Sequence, residues 1–228
     1  EPNGPMKDSG IEWLGEVPAH WEVTRLKFLG KAIIGLTFSP ENVVDPQSEG
    51  HLVLRASNIQ ESKIVSADDT FVKMSIPQKL LLRKGDILIC TRSGSRHLIG
   101  KNALISSDFE GSSFGAFTTK FVSKYNDFLF WVFNSKLFEK QSGSFFTSTI
   151  NQLTIGNLNN ITLSFPSEKE RASITLFLNN ETAKLDKLKQ EASKCIELLK
   201  EYKTSLISSA VTGKIDVRNY KSGDPINN

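Results

Sequence analysis

The sequence of 228 residues has only two cysteines, Cys90 and Cys195, far apart in apolar patterns with no CxxC pair and no Cys/His cluster. That argues against a zinc ribbon or a disulfide-stapled scaffold and leaves two reduced core thiols as the expectation. No run of about 18 apolar residues occurs, and no signal-peptide pattern opens the chain, so a cytoplasmic protein with no membrane contact is expected. No two prolines are adjacent, which removes the proline-rich catalytic tetrapeptide of adenine and cytosine methyltransferases. Ser/His/Asp, Cys/His and metal-ligand constellations are missing too, so no catalytic residue and no metal site is expected in this chain. The opening EPNGP does not begin with Met and is set aside from the fold reading.

One further absence is the most informative. Residues 167–212 contain neither proline nor glycine. Within them Leu185, Leu188, Ala192, Cys195, Leu199, Tyr202 and Leu206 alternate three and four residues apart, the spacing of a helix that docks on another helix. A Ser167-x-x-Glu170 capping box follows Pro166, and Gly213 sits where a left-handed cap is expected. At about 1.5 Å per residue this helix would be about 65 to 70 Å long, longer than the diameter of the domain before it. It should project as an arm.

A hydrophobic content of 39% supports a real core. The expected class is α+β: a mixed globular domain over residues 1–166, a long helix over 167–213 that forms an antiparallel coiled coil, and a tail over 214–228. In the globular part, two tryptophans flank Pro18 within residues 11–29 and read as anchors onto a core. Short segments rich in Val, Ile and Leu follow, separated by Gly, Asn and Asp, and read as strands and turns. The clearest is GDILICT, with a turn at Gly85-Asp86 and alternation through Ile87, Ile89 and Thr91. Residues 127–141 read as one apolar helix capped by Asn126.

The net charge of +3 is small, but its distribution is uneven. Residues 37–72 carry six acids against two bases, and residues 73–101 carry seven bases against Asp86 alone, which is −4 followed by +6. A basic block in a balanced chain marks either a polyanion-facing surface or a merely solvated face. Directly after the GDILICT strand comes a loop with Arg92, Ser93, Ser95, Arg96, His97 and Lys101, donors suited to phosphates and base edges. Its glycines resemble a phosphate-binding P-loop, but five residues separate Gly94 from Gly100 instead of four, and Asn102 stands where a Ser/Thr would hold magnesium. A second polar run, with Thr147, Ser148, Asn151 and Gln152, is either a base-reading loop or ordinary turn chemistry. Glu61-Ser62-Lys63 matches a nuclease-like Glu-x-Lys string that also arises by chance in so charged a chain.

Several segments together resemble the specificity subunits of type I restriction-modification systems. They are KDSGIEWLGEVPAHWEVTRLK, LRKGDILICTRSGSRHLIGK, SFPSEKERASI and ISSAVTGKIDVR. The resemblance implies a target recognition domain that reads one half of a split site in double-stranded DNA. It also implies a conserved helix that pairs antiparallel with a second one and spaces the half-sites. The chemistry would belong to partners: modification subunits that methylate adenine with S-adenosylmethionine, and restriction/motor subunits that use ATP and Mg. Most members carry two recognition domains and two helices, where this sequence has one of each. It is expected to be a half-subunit that forms a homodimer through its helix, or a fragment of a longer chain. The rival readings are a coiled-coil scaffold whose head binds another protein and a stand-alone nuclease using Glu61 and Lys63.

Overall fold

A computed structural model describes residues 4–11, 14–66, 68–145, 151–218 and 220. The class is α+β, with two compact units, residues 1–175 and residues 176–228.

In the first unit the strands are β1 (Met6–Asp8), β2 (Glu16–Pro18), β3 (Glu22–Arg25), β4 (Lys31–Ile34), β5 (Val43–Val44), β6 (His51–Leu54), β7 (Ile59–Gln60), β8 (Lys63–Ile64), β9 (Thr70–Val72), β10 (Ile87–Cys90), β11 (Asn102–Leu104), β12 (Ser113–Phe114), β13 (Thr118–Val122) and β14 (Thr162–Phe165). The helices are α1 (Leu26–Leu29), α2 (Asn126–Phe133), α3 (Lys136–Ser144), α4 (Ile155–Asn160) and α5 (Glu168–Val211), the last of which runs on into the second unit. Two four-stranded sheets carry the unit. One is antiparallel, ordered β11-β10-β13-β4, and the other is ordered β12-β6-β9-β5 with β12 parallel to β6.

The antiparallel sheet is the middle layer between two apolar cores. Ile87, Ile89 and Phe121 pack on one side with Leu129, Phe133, Phe138, Leu153 and Leu158 from the helices and the segment joining them. Leu88, Cys90 and Ala103 pack on the other side with Val53, Leu54, Val72 and Phe114 of the second sheet. Every residue of β10 is therefore buried. The sequence alternation expected of a half-buried strand is absent there because both faces are covered, as a continuous apolar run implies.

One charge pair sits inside. Lys120 on β13 and Asp86 before β10 lie 3.4 Å apart with side chains 5% and 7% exposed. The Lys120 ammonium also donates to the Leu81 carbonyl at 2.8 Å, and Asp86 accepts the Arg83 backbone N–H at 3.0 Å, so neither charge is left bare.

Three local expectations need correction. Residues 127–141 form two helices: Asn134 bonds back to Phe130 and across to Asn102 on β11, and Ser135 starts α3 by accepting from the Phe138 N–H. Asn126 does not cap α2. Its side chain is buried and donates to the Gly85 and Phe121 carbonyls at 2.8 and 3.0 Å, tying the helix start to the strand turns. Cys90 is buried, but Cys195 lies exposed on α5. Of the two tryptophans near Pro18, Trp21 is half-buried and bonds to Glu170, while Trp13 lies outside the described residues.

At the start of α5, the Glu170 carboxylate accepts the Ser167 backbone N–H at 3.0 Å and its hydroxyl at 2.6 Å. At the far end Gly213 takes φ +72°, and the N–H groups of Lys214 and Gly213 bond to the Ser209 and Ala210 carbonyls, a closed left-handed cap. The helix has 44 residues and none of them is buried. Leu185, Leu188 and Leu199 are 63%, 60% and 61% exposed, with Ala192 and Tyr202 also open and Leu206 half-buried.

Candidate nucleic-acid interface

Because β10 is held on both faces, the chain that leaves it starts from a fixed point. Thr91 is still buried, and its hydroxyl meets that of Thr119 at 3.0 Å. From Arg92 the chain turns outward and returns at Gly100 and Lys101, where the Gly100 N–H bonds to the Cys90 carbonyl and the Cys90 N–H to the Lys101 carbonyl, each at 2.8 Å. Buried Ile99 anchors the returning limb. Gly100 is required twice over: its φ is +91°, and a Cβ there would stand 3.1 Å from the Phe138 ring. Between these clamps Arg92, Ser95, Arg96 and His97 are exposed, and Ser93 and Lys101 are half-buried.

The two polar segments singled out in the sequence meet here. Arg92 forms an antiparallel bridge with Gln152, and the Leu153 N–H bonds to the Thr91 carbonyl at 2.8 Å. Asn151 and Gln152, both half-buried, thereby lie beside the root of the basic loop. Thr147 and Ser148 lie outside the described residues.

The cations on the loop are not equivalent. The Arg92 guanidinium rests over the Phe117 ring at 5.2 Å, a contact that leaves its donors free to turn outward. Arg96 donates to the Gly143 carbonyl in the last turn of α3 at 3.1 Å, a cation at a helix C-terminus. Arg96 therefore also braces the fold. Burial pushes the Cys90 thiol up, only partly offset by a backbone hydrogen bond at Arg92 and the Lys101 charge, so the nearby sulfur is a protonated thiol rather than a nucleophile.

The remaining catalytic alternatives gain no support from geometry. Glu61 and Ser62 are the two turn residues of the β7–β8 hairpin, both at positive φ (48° and 60°). Asn102, which departs from the P-loop pattern, is a buried strand residue donating to the Gly100 and Phe133 carbonyls. Among the described residues no group of three or more His, Cys, Asp or Glu could hold a metal ion. Likewise no helix among them is long and apolar enough to cross a membrane.

Phe117 was not visible in the sequence as a site residue. It reads as one more aromatic in the strand GAFTTKF, yet it is 58% exposed at the edge of a groove of about 610 Å³. Leu36, Phe38 and Ala116 line that groove, together with the ion pair between Arg55 and Asp68. The one hint in the sequence is Gly115 two residues earlier, opposite Gly35, where a Cβ would come within 2.3 Å of the Gly115 carbonyl.

No family model matches the chain. It is 27% identical over 217 residues to the type I restriction enzyme StySPI specificity subunit of Salmonella potsdam, spanning 88% of this chain and 44% of that protein. It is 26% identical over 207 residues to the EcoKI specificity subunit of Escherichia coli strain K12, with the same shares of 88% and 44%. The chain thus spans less than half the length of these curated relatives. Among solved structures, a chain of a type I R-M system complex matches with a TM-score of 0.68 at 17% identity, covering 85% of this chain and 46% of that one. The HsdS subunit of Thermoanaerobacter tengcongensis matches with a TM-score of 0.57 at 17% identity, covering 92% and 52%. At such identity the structural likeness speaks for the fold.

Proposed function

We propose that this chain, similar to one half of the type I restriction specificity subunits, is a DNA-reading module that recognises one half of a bipartite site in double-stranded DNA. The observation that carries the reading is the bridge between Arg92 and Gln152. It gathers guanidinium, hydroxyl and amide donors at the exposed end of a strand held rigid on both faces. That combination suits a polyanion with readable edges: Arg and Lys neutralise phosphates, and Gln and Asn amides pair with adenine.

In this reading the chain does no chemistry itself. Modification subunits carrying S-adenosylmethionine would methylate adenine, and restriction/motor subunits would use ATP and Mg. The exposed seam of α5 would pair antiparallel with the same helix of a second copy, or with a second helix of a longer chain, and so set the distance between half-sites. Two-fold pairing would present two readers to a site with inverted symmetry.

The deciding experiment is a duplex-DNA binding titration of the purified chain, with and without type I modification subunits, across a salt series. Binding that selects a sequence and falls steeply with salt is the expected result. Failure to select any sequence in either format would overturn the reading.

A further inference from the structure

Phe117 breaks the rule by which this domain buries its large side chains. Its neighbours Phe114 and Phe121 are both 0% exposed, whereas Phe117 is 58% exposed. Its exposure is imposed by the backbone. The Phe117 carbonyl accepts from both the Thr91 and Arg92 N–H groups, at 3.0 and 3.1 Å. The Gly115 and Ala116 N–H groups bond to the Leu54 and Leu36 carbonyls, each at 2.9 Å, and the Thr118 N–H returns to Gly115. A segment pinned at four consecutive residues cannot roll the ring inward, so the ordering cost of presenting an aromatic face is met before any ligand arrives.

The ring's surroundings point to one kind of occupant. The Arg92 guanidinium, from a residue bridged to Gln152, lies over the ring, and the ring itself lines a groove with Leu36, Phe38 and Ala116. An apolar surface beside a guanidinium suits a base edge, where a methyl group lies beside hydrogen-bonding atoms.

We propose that Phe117, with the groove it borders, is a specificity-determining contact to the C5-methyl edge of a thymine in the DNA major groove. The proposal rests on the DNA-reading function above and names the side chain that supplies its apolar readout. Phe117 would add little to non-specific affinity, which comes from the cations, and would add discrimination at one base-pair position.

The test couples the ring to the methyl group. Sequences are first selected from a random duplex library with the wild-type chain. Each thymine of the selected site is then replaced by deoxyuridine, and binding is measured for wild type, Phe117→Leu and Phe117→Ala. The expected result is one position where loss of the methyl weakens wild-type binding about fourfold, the worth of one buried carbon. Phe117→Leu should keep part of that penalty, and Phe117→Ala should bind thymine and deoxyuridine there equally. A ring that merely supports the fold would lower affinity for both equally and overturn the proposal. So would a selected site in which no methyl matters to the wild type, although the DNA-reading function would stand. A wild-type chain that selects no sequence would overturn both.

Discussion

The Glu170 carboxylate accepts the Trp21 indole N–H at 3.1 Å, joining the first turn of the long helix to the segment that leads into β3. His20 approaches the same oxygen at 2.7 Å, and Ser167 holds the other. A single side chain so closes the helix start and fastens the N-terminal segment to it.

These bonds hold the Glu170 carboxyl down at about 2, with the Ser167 hydroxyl as the first cause, then Trp21 and His20. A depressed acid contributes stability that is fully present above its ordinary value of 4.5 and is lost as pH falls through the folded value of about 2. Thermal unfolding followed by circular dichroism should show wild type above Glu170→Gln at pH 7, with the gap narrowing between about pH 4.5 and 2. A gap independent of pH would mean that packing alone separates the two proteins.

The buried pair of Lys120 and Asp86 makes a separate prediction. Lys120→Met should leave Asp86 as an uncompensated charge among apolar side chains and cost about 3–5 kcal/mol in urea unfolding. Lys120→Met combined with Asp86→Asn should recover most of that loss, because an amide can still accept the Arg83 N–H without carrying a charge. Equal losses in the single and double variants would show that Lys120 acts through its bond to the Leu81 carbonyl.

Arg92→Ala should weaken duplex-DNA binding and reduce the slope of log affinity against log salt by about 1, with the unfolding midpoint unchanged. Arg96→Ala should weaken binding as well, but with some loss of stability, because Arg96 also holds the Gly143 carbonyl. An unchanged affinity and salt slope for Arg92→Ala would remove this loop from the interface.

The apolar seam of α5 should make the chain a dimer at tens of micromolar, and Leu188→Glu should convert it to a monomer whose first unit stays folded. Light scattering reads both states. A wild-type monomer at that concentration, in a protein carrying the whole helix, would leave the seam to a second helix of a longer chain.

What could be read from the sequence follows from how local each feature is. The ends of α5 were legible because a capping box and a glycine cap involve neighbours in sequence: Ser167 with Glu170, and Gly213 with Ser209 and Ala210. The turn at Gly85 was legible for the same reason, at φ +85°. Asn126 misled because an asparagine before an apolar run suits a cap, and only the fold brings the Gly85 and Phe121 carbonyls to its amide. The break at Asn134 depends on Asn102, which meets it from strand β11. The two polar segments could each be picked out by composition, but their meeting depends on a bridge between residues distant in sequence. Phe117 was hidden because an exposed aromatic and a core aromatic look alike until the backbone bonds are known.

If the loop reads DNA as proposed, the way it is fastened bears on how new specificities could arise. Its two limbs are fixed by Thr91 and by Ile99 with Gly100, all of which belong to the core or its edge, while the residues between them lie in neither core. Substitutions at Ser93, Gly94, Ser95 and His97 should therefore accumulate with little penalty to folding, whereas Arg96 also holds the Gly143 carbonyl. On the DNA-reading function proposed above, the sequence read could change while the scaffold stays intact, and a transplanted loop should fold in place provided that it returns through a glycine at position 100.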